Sequence, residues 1–225
     1  MNRFTMIASI GLAAALAVGT AIAQDGAPAK GGDAAQQDGS KKEKGEKKAK
    51  GDSHAHAKVG SPAPAFTLKD AGGKDVSLSD FSGKTVVLQW INPDCPVCKG
   101  KMEDGSVAKM VADAKAADPD VVFLLVNSTH YMADKPAANA EYMKANKVSA
   151  TALIDGDGSV GHMYGARTTP HCYVIDPKGT LAYDGAIDDK GSKNYVVDAV
   201  TAIKQGKPVS PATTKPYGCS VKYKK

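Results

Sequence analysis

Two cysteines separated by two residues, Cys95 and Cys98, are the residues of this sequence best suited to chemistry. They lie in the segment WINPDCPVCKGKM, behind a proline-containing approach. A Cys-x-x-Cys pair is typical of a thiol–disulfide redox centre, of one half of a zinc site, or of a structural disulfide. Because the spacing alone fits all three, the elements around the pair must decide among them.

Cys95 is expected to begin a helix. A strand-like run ends just before it, and Pro96 suits the first helical turn, where its missing N–H costs little. A helix N-terminus offers unpaired N–H groups and a partial positive charge, which lower the pKa of such a cysteine from about 8.5 toward 7 or below. Cys95, nearest to solvent, is therefore the predicted nucleophile, and Cys98, one turn later and more buried, resolves the mixed disulfide. Lys99 would favour the thiolate and Asp94 would oppose it.

A strand, a helix and a second strand surround the cysteine pair. Residues 85–91, TVVLQWI, form a β-branched run typical of a buried parallel strand. Helix-forming residues follow over 99–118 and predict one helix, although Gly100 and Gly105 weaken its start. Residues 120–128, DVVFLLVNS, predict a second buried strand. A strand–helix–strand unit implies a parallel sheet, with the cysteine pair at the end of its first strand.

The later part of the chain predicts the remaining elements of one α/β domain. Residues 135–148 are a helix candidate, and 150–166 supply a short strand, a turn and a short helix. An Asp-Pro-Lys-Gly turn joins predicted strands at 171–175 and 180–184. Residues 194–207 close the pattern with an amphipathic helix that stops at a glycine. The order β-α-β, insertion, β-β-α describes a domain of about 150 residues, a typical size for a single core.

Residues 1–23 have the pattern of a secretory signal peptide. Arg3 supplies the positive start, positions 6–19 form an apolar stretch, and Ala23 ends a small-x-small cleavage site. The apolar run is short for a membrane span, which needs about 20 residues. The mature protein is therefore expected to begin at Gln24, to have no membrane span, and to be periplasmic or secreted, where disulfides are permitted.

Residues 24–58 form a predicted disordered linker. They contain no Val, Ile, Leu or aromatic residue and are rich in Gly, Ala, Lys, Glu and Asp, so they cannot bury enough apolar surface to fold. The linker's His-Ala-His segment is interpreted as solvated. The folded domain is placed at 59–206, and 207–225 is a Pro-rich C-terminal tail that holds Cys219. Lysines of the linker supply much of the net charge of +5, so nucleic-acid binding is not predicted.

The order of elements, the position of the Cys-x-x-Cys and a Thr-Thr-Pro ahead of the hairpin resemble the thioredoxin fold, a central mixed β-sheet flanked by helices. The sequence most resembles secreted redoxin-type members of the alkyl hydroperoxide reductase/thiol-specific antioxidant family, over about residues 59–225. Four stretches carry this resemblance: FSGKTVVLQWINPDCPVCK, VVFLLVNS, YGARTTPHCYVIDPKGTLAYDGAIDD and KPYGCSVKY. The resemblance implies an inserted strand–helix between the first βαβ unit and Pro170.

Two residues ahead of the hairpin, Thr169 and Pro170, take their predicted roles from this resemblance. The matching proline of thioredoxin-like proteins is cis and packs against the redox pair. The residue before it offers backbone hydrogen bonds to an extended substrate. Thr169 and Pro170 are therefore expected to position a substrate beside Cys95.

Two departures from the family pattern bear on the reaction. Many secreted relatives with NPDCP have an aliphatic residue where Cys98 stands, so this chain has a dithiol that those relatives lack. Peroxiredoxins have Pro-x-x-x-Thr/Ser-x-x-Cys, whereas the matching positions here hold Leu88 and Asn92. Both departures favour disulfide exchange over peroxide reduction.

The other two cysteines are candidate secondary thiols. Cys172 shares Pro170's face of its strand and is expected to be a buried, inert thiol, the usual state of a strand cysteine. Cys219 could pair with Cys172 as a staple or return to resolve Cys95, and the sequence leaves both pairings open. His171 faces the side opposite Cys172 and is interpreted as structural rather than as a general base.

The favoured function is a periplasmic thiol–disulfide oxidoreductase that uses Cys95 and Cys98. It would act on protein or small-molecule disulfides and thiols, with an unidentified redox partner and no metal or organic cofactor. One alternative is a thiol-dependent, peroxiredoxin-like peroxidase that uses Cys95. Another is a metal-binding thioredoxin-fold module that adds Cys172, Cys219 or His171 to the pair, although structural zinc sites usually have four ligands at knuckle-like spacings. A redox-inactive scaffold is a further alternative.

Overall fold

The computed structural model describes residues 56–225. The predicted signal peptide, most of the predicted linker and His54 lie outside these residues. Within 56–225, no helix is both long enough and apolar enough to cross a membrane. What the structure describes is therefore the predicted domain together with its C-terminal tail.

The centre of the protein is a mixed β-sheet. The strands among residues 56–225 are β1 (Thr67–Asp70), β2 (Asp75–Ser77), β3 (Val86–Trp90), β4 (Val122–Asn127), β5 (Thr151–Ile154), β6 (Thr168–Thr169), β7 (His171–Ile175), β8 (Leu181–Gly185) and β9 (Cys219–Ser220). Seven of them form one sheet in the order β2-β1-β5-β4-β3-β7-β8, and β6 pairs with β9 separately. The three central strands β5, β4 and β3 are parallel, and the outer pairs are antiparallel.

Five α-helices lie among the described residues. They are α1 (Pro96–Glu103), α2 (Ser106–Ala117), α3 (Pro136–Ala145), α4 (Ser159–Tyr164) and α5 (Tyr195–Lys204). The prediction of a single helix over 99–118 is wrong, because Gly105 separates α1 from α2. Gly105 has a φ of +80°, a left-handed conformation that glycine adopts without steric cost.

Two hydrophobic cores lie on opposite faces of the sheet. Alternate residues of β3 and the residue after it divide between them: Val87 and Ile91 enter one core, whereas Val86, Leu88 and Trp90 enter the other. The first core packs against α1, α2, α3 and α5, and the second packs against α4. Both faces of the central strands are therefore covered, which explains why their sequences are apolar throughout rather than alternating.

The architecture confirms the predicted α/β class, a central mixed sheet flanked by helices. β5 and α4 form the strand–helix insertion expected ahead of Pro170. The structure also contains strand pairings that the sequence did not predict. β1 pairs antiparallel with β5, and β9 of the C-terminal tail pairs with β6. The tail is thus part of the folded structure.

Asp118 joins three elements at the end of α2, and its loss should destabilise the fold. Its carboxylate accepts hydrogen bonds from Thr85 Oγ1 at 3.0 Å and from Lys204 Nζ at 2.8 Å, and the residue is only 4% exposed. Burial alone would raise the pKa of this carboxyl, but these hydrogen bonds outweigh burial and hold the pKa below its usual value. We expect Asp118→Ala to lower the free energy of unfolding at pH 7 by about 1–3 kcal/mol.

The effect of Asp118→Ala should depend on pH. Because the pKa is lower in the folded state, the contribution of Asp118 is present above the unfolded pKa of about 3.9 and is lost as the pH falls through the folded-state pKa. Urea unfolding should therefore show a difference from wild type at pH 7 that narrows toward pH 3. Asp113→Ala removes an exposed carboxylate of the same helix, paired with Lys109, and should change stability by less than about 0.5 kcal/mol. If Asp118→Ala lowers the free energy of unfolding by the same amount at pH 7 and at pH 3, this explanation is wrong.

Candidate redox site

Cys95 lies at the junction of β3 and α1. It caps the N-terminus of α1, with Pro96 in the first helical turn. Its Sγ accepts the backbone N–H of Cys98 at 3.5 Å, so a thiolate here faces the unpaired N–H end of the helix. A buried strand, a four-residue turn and a Cys-Pro dipeptide are enough to build this part of the site.

The second part of the site is the segment of β6 that leads into Pro170. The peptide bond between Thr169 and Pro170 is cis, as the resemblance implied. The Cys95 thiol donates a hydrogen bond to the carbonyl oxygen of Thr169, with 3.1 Å between sulfur and oxygen. The fold therefore brings the predicted nucleophile against a residue 74 positions away that was predicted to position substrate.

The C-terminal strand β9 forms the third part of the site. It runs antiparallel to β6, with Cys219 opposite Thr169. Cys219 packs against the core cluster that contains Cys95, and its proximity lowers the pKa of the Cys95 thiol. Gly218 permits this close approach, because its φ is +130° and a Cβ there would overlap the carbonyl oxygen of Thr169. Of the two partners left open for Cys219, the structure favours Cys95.

Side chains on both sides of β9 anchor the tail. Tyr217 donates a hydrogen bond to Asp188, which also pairs with Lys101 of α1 at 2.5 Å. Tyr223 donates to the backbone oxygen of Ala166 at 2.7 Å. These contacts fix the chain before and after Cys219 and so determine where its thiol lies.

Both cysteines of the pair are buried, and Cys98 is the more buried of the two, as the sequence predicted. Cys95 is 2% exposed, and Cys98 is 0% exposed. Gly218 and Cys219 of the docked tail pack beside Thr169 and Cys95, so the tail forms part of the cover over the Cys95 thiol.

The two thiols of the pair differ in acidity in the direction that disulfide exchange requires. Burial alone would raise the pKa of Cys95, but hydrogen bonds outweigh it and lower the pKa below its usual value. The donors are Cys219, the side chain of Thr169 and the backbone N–H of Cys98. Burial raises the pKa of Cys98 to about 12. Cys95 therefore forms the reactive thiolate more readily than Cys98.

Cys172 and His171 lie on opposite faces of β7. Cys172 is 0% exposed in the core that holds the cysteine pair, and burial raises its pKa far above the usual range, which disfavours thiolate chemistry. On the other face, His171 Nε2 lies 2.8 Å from Asp184 Oδ1 and its Nδ1 lies 3.2 Å from the Tyr173 hydroxyl. These contacts support a structural role for His171.

Lys99 and the described histidine of the His-Ala-His segment pair with groups other than Cys95. Within residues 56–225, no group of three or more His, Cys, Asp or Glu side chains is arranged to hold a metal ion. His56, the described member of the His-Ala-His segment, has Nδ1 2.9 Å from the carbonyl oxygen of His162. Lys99 forms an exposed pair with Glu103 at 3.7 Å. The groups that favour the Cys95 thiolate are therefore neutral donors.

Three residues that hold the tail in place, Asp188, Tyr217 and Gly218, were not identified from the sequence. A signal was present in PYGCS, where an aromatic residue and a glycine precede a cysteine. In such a segment the aromatic side chain can anchor the chain, the glycine permits a close backbone approach, and the cysteine supplies a thiol. It does not indicate which distant residue the thiol meets, so only the fold could supply the partner.

The hydrogen bonds from Cys219 should set the pH at which Cys95 becomes reactive. Cys219→Ala removes the thiol donor, so the pKa of Cys95 should rise toward its unperturbed value. Cys219→Ser keeps a donor and should leave that pKa nearer to the wild-type value. At pH 7, iodoacetamide should alkylate Cys95 roughly 3- to 10-fold more slowly in the Ala variant than in the Ser variant, and at pH 10 the rates should converge.

The pH–rate profile of alkylation, with the modified residue identified by mass spectrometry, is the measurement for this prediction. The two variants have side chains of similar size, so a difference in access to Cys95 contributes little to the comparison. Equal midpoints in the two profiles would show that the Cys219 thiol does not stabilise the Cys95 thiolate.

A mixed sheet, a thiolate-favouring cysteine at the start of a helix and a cis-proline segment beside that cysteine define a protein of the thioredoxin-like class. Comparison with known families narrows this assignment. The Redoxin family model matches residues 58–201, more than half of the chain, and the chain belongs to this family.

Relatives of two reaction classes are similar to this chain in sequence. The thiol–disulfide oxidoreductase ResA of Bacillus subtilis (strain 168) is 27% identical over 147 residues, covering 65% of this chain and 76% of that protein. The chloroplastic peroxiredoxin Q of Triticum aestivum is 30% identical over 132 residues, covering 55% of this chain and 57% of that protein. Among solved structures, a hypothetical protein of Sinorhizobium meliloti 1021 is 25% identical with a TM-score of 0.66, covering 76% of this chain and 97% of that one.

Proposed function

We propose that this protein is an exported thiol–disulfide oxidoreductase that exchanges disulfides through Cys95 and Cys98. Cys95 attacks one sulfur of a substrate disulfide, forms a mixed disulfide and releases the other half as a thiol. Cys98 then attacks the Cys95 sulfur, releases the second half and leaves a Cys95–Cys98 disulfide. The substrate and the cysteine pair exchange two electrons directly, so the reaction balances without a metal or an organic cofactor.

One observation carries this proposal: the Cys95 sulfur faces the N–H end of α1 with a lowered pKa, while the Cys98 thiol, one turn later, is fully buried. The lower pKa raises the fraction of Cys95 that is thiolate at neutral pH. Thr169 supports the proposal further, because its backbone carbonyl lies beside the attacking sulfur, on a strand that already pairs with one extended segment, the tail strand β9. The similarity to ResA favours the same class of reaction.

The place of action is proposed from the N-terminal sequence. Residues 1–23 have the signal-peptide pattern, so the mature chain acts in the periplasm or is secreted, where protein disulfides are permitted. Its substrates are protein or small-molecule disulfides and thiols, and a separate redox partner returns the cysteine pair to its starting state. N-terminal sequencing of the protein from a periplasmic fraction tests this proposal, and the sequence should begin at Gln24.

Disulfide mapping by mass spectrometry tests the proposed reaction. The Cys219→Ser variant is the one to map, because it leaves only the proposed pair and the buried Cys172 as thiols. Incubation with oxidised glutathione should give a Cys95–Cys98 bridge, and the variant should catalyse reduction of insulin disulfides by dithiothreitol. If Cys95 and Cys98 both stay reduced and no turnover is seen, the proposal is wrong.

A thiol peroxidase is the second candidate function. The similarity to peroxiredoxin Q supports it, as does the position of a second thiol, Cys219, beside Cys95. Against it, the hydroxyl residue of the peroxiredoxin motif is replaced by Asn92, whose side-chain oxygen accepts the backbone N–H of Asp94 at 2.9 Å. Consumption of hydrogen peroxide with dithiothreitol as reductant, measured beside disulfide exchange, distinguishes the two. If the protein turns over hydrogen peroxide faster than it exchanges disulfides, its function is that of a peroxidase.

A further inference from the structure

The contact between Cys219 and Cys95 adds a third thiol to the site. We propose that Cys219 resolves mixed disulfides formed on Cys95 by closing a Cys95–Cys219 disulfide, which ties the C-terminal strand to the site. This inference rests on the proposed function and adds a reacting residue to it. Cys98 and Cys219 are then two alternative thiols that can resolve the same mixed disulfide on Cys95.

Backbone pairing, rather than a long flexible side chain, places Cys219 in the site. β9 runs antiparallel to β6 with Cys219 opposite Thr169, the residue whose carbonyl oxygen lies 3.1 Å from the Cys95 sulfur. Two residues later, the Val221 N–H donates to the carbonyl oxygen of Arg167 at 3.0 Å and continues the pairing. From this strand Cys219, which is partly buried, packs against the core cluster that contains Cys95 and Cys98. The arrangement therefore presents a thiol to Cys95 in the folded state.

The resolving step balances without a further reagent. In the mixed disulfide, the Cys95 sulfur is bonded to half of the substrate. The Cys219 thiolate attacks the Cys95 sulfur, the Cys95–Cys219 bond forms, and the bond from Cys95 to the substrate breaks. The substrate half leaves as a thiolate and takes up the proton that Cys219 has lost. Overall, one substrate disulfide is reduced to two thiols, and two protein thiols are oxidised to one disulfide.

Acidity favours Cys219 over Cys98 once Cys95 is in the mixed disulfide. The pKa of Cys219 is raised chiefly by its hydrogen bond to Cys95, and the mixed disulfide removes the ionisable partner. Burial, in contrast, is the largest cause of the raised pKa of Cys98, and it persists in the mixed disulfide. A larger fraction of Cys219 than of Cys98 is therefore in the attacking thiolate form at neutral pH.

Reaction with Ellman's reagent, a small symmetrical aromatic disulfide, tests the proposal. One equivalent is added to the fully reduced protein, the released aromatic thiol is counted by absorbance, and the products are mapped by mass spectrometry. Cys98→Ser should release two equivalents of thiol and give a Cys95–Cys219 cross-link. The double variant Cys98→Ser/Cys219→Ser should release one equivalent and keep the adduct on Cys95.

The outcomes separate this inference from the proposed function. A stable adduct on Cys95 in Cys98→Ser would overturn the resolving role of Cys219, and release of two equivalents by Cys219→Ser would leave the proposed function intact. If the wild-type protein forms neither an adduct nor a cross-link at Cys95, the proposed function itself fails. Cys95→Ser/Cys98→Ser reports the reactivity of Cys219 alone. If it reacts as fast as Cys98→Ser, Cys219 is the first nucleophile and its role as a resolving thiol is contradicted.

Discussion

Replacing Cys95 with serine should abolish catalysed disulfide exchange. The thiolate is the attacking species, and a serine hydroxyl does not ionise near neutral pH. Cys98 and Cys172 cannot take over, because burial raises the pKa of both thiols well above neutrality. The turnover of insulin disulfides with dithiothreitol should therefore fall in Cys95→Ser by at least about 100-fold, to the uncatalysed rate.

Cys219 should not rescue Cys95→Ser. Without Cys95 it is a single thiol with no neighbouring thiolate to exchange with, and so it has no advantage over dithiothreitol itself. Cys172→Ala is the matched control, because a fully buried cysteine behaves as a small hydrophobic residue, and its removal should leave turnover within about twofold of wild type. Wild-type turnover in Cys95→Ser would show that the reaction does not pass through Cys95. Far-UV circular dichroism of both variants checks that the fold is intact.

The strand–helix–strand unit and its cysteine pair could be predicted because the information is local. A β-branched run, a Cys-Pro dipeptide and a helix-forming segment follow one another in the chain, so the place of Cys95 at the start of α1 could be inferred from neighbouring residues. Gly105 was harder to interpret. A glycine weakens a helix, but whether it ends the helix depends on how the segments before and after it pack.

The part of the site made by the tail could not be predicted in this way. Cys219 meets Thr169 across 50 positions of sequence, and the strands that carry them are two residues long, too short to show a periodicity. Their pairing depends on tertiary contacts such as the hydrogen bond from Tyr217 to Asp188. For the same reason, the sequence could place Cys95 nearer to solvent than Cys98 but could not show that both thiols are buried.

Gly218→Ala should expose Cys95 by displacing the tail. A Cβ at this position would overlap the carbonyl oxygen of Thr169, and a φ of +130° is strained for alanine. Overlap and strain of this kind cost about 1–3 kcal/mol. Because each 1.4 kcal/mol changes an equilibrium about tenfold, the population with the tail displaced should rise about 10- to 100-fold. Alkylation of Cys95 by iodoacetamide at pH 10, where its thiol is ionised with or without the tail, should accelerate by a similar factor.

Gly206→Ala is the matched control for this prediction. Gly206 also has a positive φ, +66°, but a Cβ there would meet no atom within 4 Å, so the variant has backbone strain without a clash against the site. Its Cys95 should be alkylated at the wild-type rate. An unchanged rate in Gly218→Ala would show that the tail does not limit access to Cys95. Acceleration in Gly218→Ala alone would mean that the burial of Cys95 depends on the docking of one short strand. A protein disulfide would then reach the thiol only after β9 has left β6.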